Sequence, residues 1–282
     1  MNSKRIEKIE DIDWNEMWNR TLQEMPSKNT EKRWDKIASK FNEWMKTDDY
    51  PQNFADKIHK ESDYTVLDLG CGNGSITLKV AEEVEHVTAV DMSEEMLKIV
   101  KENAKKEGIS NVSYVQSTVE DLDPESVGQH DVVIASRSLG NIYNLKEELK
   151  KIDSIAKRYV YMTIWGANSR RFERELCSTM GTEYHRHPDY IYVCNMLYQM
   201  GIYANVEMLD CESRPVYSDL EDAVDRCKWK LGWNGKQIKT EDHEKLEKFL
   251  KENAIHREDG TLDYPTNNPD WVMIWWKKED GD

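Results

Sequence analysis

Three scarcities narrow what this chain of 282 residues can be. Basic residues are outnumbered, 39 Lys and Arg against 54 Asp and Glu, for a formal net charge of −15. Binding to a nucleic-acid backbone draws its affinity from clustered cations that release counterions, so nucleic acid is excluded as the main partner. Cysteine is sparse and unpaired. Cys71, Cys177, Cys194, Cys211 and Cys227 are odd in number and lack any C-x-x-C spacing, which suits reduced thiols better than a disulfide framework or a zinc site. Long apolar runs are missing as well: Tyr159–Trp165, broken by Thr163, is far short of the roughly 20 residues of a membrane span. The charged N-terminal stretch leads into no signal-like apolar region, so a cytoplasmic location and no membrane partner are expected.

What is present is a chain built to fold. Ten Trp and thirteen Tyr accompany clear periodic segments, although only 38% of residues are hydrophobic. Residues 1–62 read as a helical cap: Trp14, Trp18, Leu22 and Met25 recur at helical spacing, as do Trp34, Ile37, Phe41, Trp44 and Met45, with Pro26 and Pro51 as punctuation. From Tyr64 the pattern changes. Short β-branched runs at Thr65–Leu69, Val87–Val90, Val112–Val115, Val132–Ala135 and Tyr159–Ile164 alternate with helical patterns at Ile76–Val84, Glu94–Glu107 and Leu145–Ala156. Such alternation predicts right-handed βαβ units, hence an α/β doubly wound core with a mostly parallel sheet over residues 63–165. Ser93 as N-cap and Gly108 as stop bound the second helix of that core.

The segment 166–235 is expected to be a lid or substrate-recognition insertion after the fifth strand. It opens with the charged, aromatic stretch Gly166–Pro188, followed by a helical run at Ile191–Met200, a strand at Ala204–Cys211 and a helix at Leu220–Leu231. Residues 236–282 supply a helix at Glu241–Asn253 and a closing strand, Trp271–Lys277.

The most informative stretch is Val66-Leu67-Asp68-Leu69-Gly70-Cys71-Gly72-Asn73-Gly74, at a strand-to-helix junction. Glycines at alternate positions let the backbone turn sharply and lie directly against a ligand. The spacing is G-x-G-x-G, with Ser75 where a nicotinamide dinucleotide fingerprint has its third glycine. Asp68 at the mouth would repel a pyrophosphate and suit a cationic ligand end. A second acid, Asp91, stands at the tip of the second strand, where a carboxylate can accept both hydroxyls of a ribose. Together these residues point to a nucleoside that carries positive charge.

At these positions, from about Tyr64 to Trp165, the sequence resembles the class I S-adenosylmethionine-dependent methyltransferases. The resemblance implies a Rossmann-like, seven-stranded fold and S-adenosylmethionine as cofactor, with S-adenosylhomocysteine as product. Carried over, Asp68, Gly70, Cys71 and Gly72 would line the methionine half, Asp91 would hold the ribose and Met92 would pack on the adenine. After the third strand the family usually has Gly-Asp, whose acid meets the adenine amino group. This chain has Ser117-Thr118, leaving the Thr118 hydroxyl and the Val119 N–H for that role. Ser136 and Arg137, ending the fourth strand, would face the transferring methyl. The N-terminal arrangement looks like the small-molecule methyltransferases related to quinone-biosynthesis enzymes, in which an aromatic such as Trp34 shields the sulfonium; Trp34 could equally pack the cap.

Methyl transfer from a sulfonium is an in-line displacement, so holding the acceptor on the line of attack and excluding water matters most. The basic group Arg170-Arg171-Phe172-Glu173-Arg174 and Glu183–Pro188 could clamp an anionic small-molecule substrate or could be a solvated face. His185 or His187 could serve as a general base, bind a metal with Glu183, or lie idle on the surface. Tyr143 and Asn141, just past the fourth strand, are further candidates to face the substrate. The fourth strand ends without the Asn/Asp-Pro-Pro-Tyr signature of enzymes that methylate bases, so DNA is an unsuitable acceptor. The competing expectation is a sensor or scaffold that binds the cofactor without turnover.

Overall fold

In the computed structural model, which describes residues 8–25, 31–231, 233, 238–268 and 270–278, the β-branched runs become the core of one sheet. Its parallel strands are β1 (Thr65–Leu69), β2 (His86–Asp91), β3 (Val112–Gln116), β4 (His130–Ser136) and β5 (Ala156–Trp165). Two further strands follow late in the chain, β6 (Asn205–Met208) and β9 (Trp271–Lys277), with β9 antiparallel to both β5 and β6. The seven strands lie in the order β3-β2-β1-β4-β5-β9-β6. This is the doubly wound, mostly parallel sheet that the alternating pattern predicts.

Helices cover both faces. Alternation along each strand sends Leu67, Val133, Val160 and Ile274 to one face, against α7 (Leu145–Ile155), α9 (Tyr190–Gln199) and Trp18 of α1 (Trp14–Gln23). Val66, Val132, Ile134 and Tyr161 face the other way, against α3 (Tyr50–Ala55) and α4 (Thr77–Ala81). Residues Ala89, Leu97, Val100 and Ala104 bury the inner stripe of α5 (Glu94–Glu107). The helix α2 (Glu31–Met45) lies outside α5, and α6 (Pro124–Val127) is a single turn before β4. Of the punctuation, Pro51 sits in the first turn of α3, where a missing N–H costs nothing, while Pro26 and residues 1–7 lie outside the described residues.

Boundaries differ where side chains intervene. The helical pattern at Ile76–Val84 yields only Thr77–Ala81, because Asn111 donates to the carbonyls of Ala81, Val84 and Glu85 and turns the chain toward β2. The strand expected over Ala204–Cys211 stops at Met208. Beyond it, the N–H groups of Glu212 and Ser213 donate to the Asp49 carboxylate, which draws the chain off the sheet.

A second, smaller core sits after β5. It joins Phe172, Leu176 and Met180 of α8 (Arg171–Met180) to Ala223, Val224 and Cys227 of α10 (Leu220–Lys230) and to Leu246 and Leu250 of α11 (Thr240–Asn253). Tyr217, Leu262 and Tyr264 close it beside a two-stranded hairpin, β7 (Ile255–His256) and β8 (Leu262–Asp263). Among the described residues no helix is long and apolar enough to cross a membrane.

Candidate active site

Because β1, β2, β4 and β5 run parallel, their carboxyl ends share one edge of the sheet, and the antiparallel β9 begins there, Trp271 opposite Trp165. Asp68, Asp91, Ser136 and Arg137 gather at that edge. The glycine loop follows β1. Its Gly70 and Cys71 N–H groups both donate to the Val90 carbonyl at the end of β2. Gly70 has φ +78°, and a Cβ there would lie 2.4 Å from the Cβ of Ser138, so this position admits no side chain. Gly72 is more open, with Phe41 of α2 at 3.5 Å from a Cβ position.

Asp91 is the keystone of this loop. One carboxylate oxygen accepts the Gly72 N–H at 2.8 Å and the other accepts the Ser93 N–H at 2.8 Å. The loop and the start of α5 are thereby bound to one side chain. Asp68 is 1% exposed, with Thr77 Oγ1 donating to it at 2.6 Å. Burial, opposed by the Thr77 hydrogen bond and reinforced by the Asp91 charge, pushes its carboxyl up to about 6. Asp91 is raised as well, first by burial, with Asp35 adding to the effect against its backbone hydrogen bonds. The Cys71 thiol between them is pushed well up by burial and by both acids. None of the ion pairs among the described residues brings a cationic side chain to either acid. Two buried carboxylates beside bare main chain fit a ligand that brings its own positive charge and hydroxyl donors, as S-adenosylmethionine does.

The segments at the ends of β2 and β3 are tied to each other and to α7. Met92 is half-buried, and its carbonyl accepts from Gln116 Nε2 at 3.3 Å. Thr118 donates its hydroxyl to Asp121 at 2.8 Å and accepts the Asp121 N–H at 3.0 Å, so toward a ligand it can only accept. Val119 is buried, and Lys151 of α7 donates to its carbonyl at 2.6 Å and to that of Glu120 at 3.0 Å. Lys151 holds this loop from behind.

Ser136 and Arg137 meet partners that sequence reasoning missed. Tyr50 of α3 is fully buried, and its hydroxyl bridges Ser136 Oγ, at 2.6 Å, to Thr163 Oγ1. Burial pushes the Tyr50 phenol up to about 12. Arg137, at φ 56°, lays its guanidinium 3.9 Å from the Tyr50 ring centroid and pairs with Asp48 at 3.0 Å. Nothing local in the sequence marks Tyr50 or Asp48, because their contacts lie about 90 residues away. The cap also reaches the glycine loop: Asn42 accepts from Asn73 and Asn103, Asp35 accepts from Ser93 Oγ at 2.5 Å, and Trp34 stands edge-on to Phe41 at 5.9 Å. Trp34 therefore sits in the aromatic cover above that loop.

The remaining candidates divide. His187 lines a crevice just past β5 with Trp165, Arg170, Tyr184 and Arg186, whereas His185 is half-buried outside that lining. Tyr143 is 39% exposed in the turn before α7, whose Ile142 carbonyl accepts from Trp18 at 2.7 Å. The structure brings Asp68, Asp91, the glycines, Ser136 and Arg137 to one edge and leaves Tyr143 at the surface. No group of three His, Cys, Asp or Glu able to hold a metal occurs among the described residues.

Sheet order, glycine loop and paired acids define a class I S-adenosylmethionine-dependent methyltransferase. The methyltransferase-domain family profile matches residues 60–212, more than half of the chain, and the chain belongs to that family. An uncharacterized protein of Haemophilus influenzae is 29% identical over 86% of this chain and 88% of its own length. Ubiquinone biosynthesis O-methyltransferases of Marinobacter nauticus and Erwinia tasmaniensis are 29% and 31% identical, over 54% and 42% of this chain. The matched parts span 64% and 48% of those two proteins. The solved structure of the YcgJ protein of Bacillus subtilis shares the fold, with TM-score 0.53 and 13% identity over 82% of this chain and 98% of that one.

Proposed function

We propose that this protein transfers a methyl group from S-adenosylmethionine to a small, anionic metabolite that approaches between the carboxyl ends of β4 and β5 and the segment 166–189. The observation that carries the reading is Asp91, a buried acid that ties the glycine loop to α5. In this reading Asp91 grips the ribose diol, Asp68, Gly70, Cys71 and Gly72 face the amino-acid end, and Met92, Thr118 and Val119 border the adenine. The cofactor, when bound, supplies a methyl group on a positively charged sulfur. The chain's part is to hold the acceptor in line with that methyl and to keep water out, for which the Ser136–Tyr50–Thr163 bridge gives a rigid wall. Where the acceptor carries a proton, His187, which lines the crevice past β5, takes it in this reading.

Calorimetry with S-adenosylmethionine and S-adenosylhomocysteine, followed by labelled-methyl transfer into a metabolite extract, tests this reading. Hydroxyl-bearing acids are the first acceptors to screen, given the O-methyltransferase relatives. Tight binding with no labelled product would instead mark a cofactor-binding sensor.

Two variants separate the parts. Lys151→Met should weaken S-adenosylhomocysteine by about 1 kcal/mol, roughly fivefold, because two carbonyls of the adenine loop lose a charged donor. Calorimetry reads that loss, and an unchanged Kd would remove Lys151 from the cofactor's support. His187→Ala should lower kcat by about a hundredfold, in the range of general-base losses, with cofactor affinity kept. Full retained turnover would end its candidacy as base.

A further inference from the structure

We infer that the crevice behind β5 is a carboxylate-binding subsite, built from Arg170, Arg186 and Tyr184, that anchors the acid group of the methyl acceptor. The inference rests on the methyltransferase reading for its purpose, though not for its chemistry.

The walls are Trp165, Gly166, Ala167, Arg170, Tyr184 and Arg186, with His187 and Asp189 completing them. Its enclosed space is about 20 Å³, little more than one water molecule needs, and the rest of the crevice opens to solvent. It takes a head group, not an entire substrate.

Arg170 is the central group. Its Nη1 donates to Glu173 at 2.5 Å and its guanidinium lies 4.6 Å from the Trp165 ring centroid. Its Nε is fully buried and has no hydrogen-bond partner among the described residues. A buried donor left unmatched costs about 1–3 kcal/mol, so a bound acceptor oxygen would relieve a standing deficit. Glu173 does not meet that donor: its Oε2 faces Arg170 Nη1 and its Oε1 faces Lys230 at 3.3 Å. Against the effect of burial, Lys230 and Arg170 hold the Glu173 carboxyl down to about 2, so it stays charged and fixes the guanidinium plane. Arg186, largely exposed and tied to Asp189 at 2.7 Å, forms part of the wall, and Asp189 is itself anchored as the N-cap of α9.

The charge count selects the kind of anion. The lining itself carries Arg170 and Arg186 against Asp189, while Glu173 pairs with both Arg170 and Lys230. One positive charge is left over, in a protein whose net charge is −15. A singly charged carboxylate matches that surplus; a doubly charged phosphate monoester would exceed it, beside Asp189 and Glu173. The planar side of a guanidinium also suits two carboxylate oxygens in one plane.

The test uses the full chain, isotope-labelled with nitrogen-15, with S-adenosylhomocysteine present. The Arg170 Nε–H resonance, assigned by its loss in Arg170→Lys, is followed while benzoate or phenyl phosphate is added. The expected result is a saturable shift with benzoate, weaker binding of phenyl phosphate, and a benzoate Kd raised at least fivefold by Arg186→Gln, an exposed-side change that spares the fold. No saturable shift, tighter binding of phenyl phosphate, or indifference to Arg186→Gln would each overturn the subsite. Calorimetry on the same sample keeps the two readings apart: benzoate binding without S-adenosylhomocysteine binding sinks the methyltransferase proposal alone, and the reverse sinks this inference alone.

Discussion

Asp91→Ala is expected to weaken S-adenosylhomocysteine by at least about 3 kcal/mol, more than a hundredfold in Kd. Two losses combine. In the proposed binding mode the carboxylate accepts the ribose hydroxyls, and a hydrogen bond to a charged acceptor contributes about 1.5–3 kcal/mol. The same two oxygens also hold the Gly72 and Ser93 N–H groups, so the alanine leaves both donors unmatched and frees the loop against which the ligand must lie. Asp91→Asn separates the contributions, because its single carbonyl oxygen can keep one of the two backbone bonds while the charge is gone. Its affinity should fall between wild type and the alanine variant. Titration calorimetry decides the matter, and a Kd within threefold of wild type for Asp91→Ala would remove the ribose assignment.

What the sequence made legible was local chemistry. The extents of α5 and β9 were readable to the residue, because Ser93, Gly108 and the apolar run Trp271–Lys277 act on their own neighbours. The glycine loop was readable because φ values such as +78° at Gly70 demand glycine wherever the chain goes. Contacts across the chain were not. Tyr50 meets Thr163, Asn42 meets Asn73 and Asn103, and Arg226 of α10 sits 4.5 Å from the Trp44 ring and 4.1 Å from that of Tyr217. Each depends on how the helical cap docks over the sheet edge, which no spacing within the cap encodes. The crevice was half legible. Its basic residues stood out in an acidic chain, but which of them would keep an unmatched donor depends on Glu173 meeting Lys230, 57 positions later. The helical pattern after Gly74 misled in length because the residue that ends α4 is Asn111, on the far side of β2.

Asp68→Asn is expected to move stability and affinity in opposite directions. The native carboxyl has been pushed up to about 6 from an ordinary 3.8, so between those values the unfolded chain gives up a proton that the folded chain keeps. The folded state then binds more protons, and unfolding free energy must fall as pH rises through that window, levelling off above about 6. Two units correspond to about 3 kcal/mol of stability missing at neutral pH. Asparagine keeps an oxygen for the Thr77 hydroxyl and carries no charge to bury. The unliganded variant should therefore be more stable than wild type by up to about 3 kcal/mol at pH 7.5 and equal to it near pH 4, as urea unfolding at the two pH values would show. Cofactor binding should respond the other way, because a cationic ligand end favours the ionised acid. Wild-type affinity should climb as pH passes through about 6, while the variant binds more weakly and with a flatter profile. A variant that is no more stable at pH 7.5 would deny that Asp68 is held at a cost in the empty protein. One that is more stable and yet binds the cofactor as wild type does would show that the cost serves something other than this ligand.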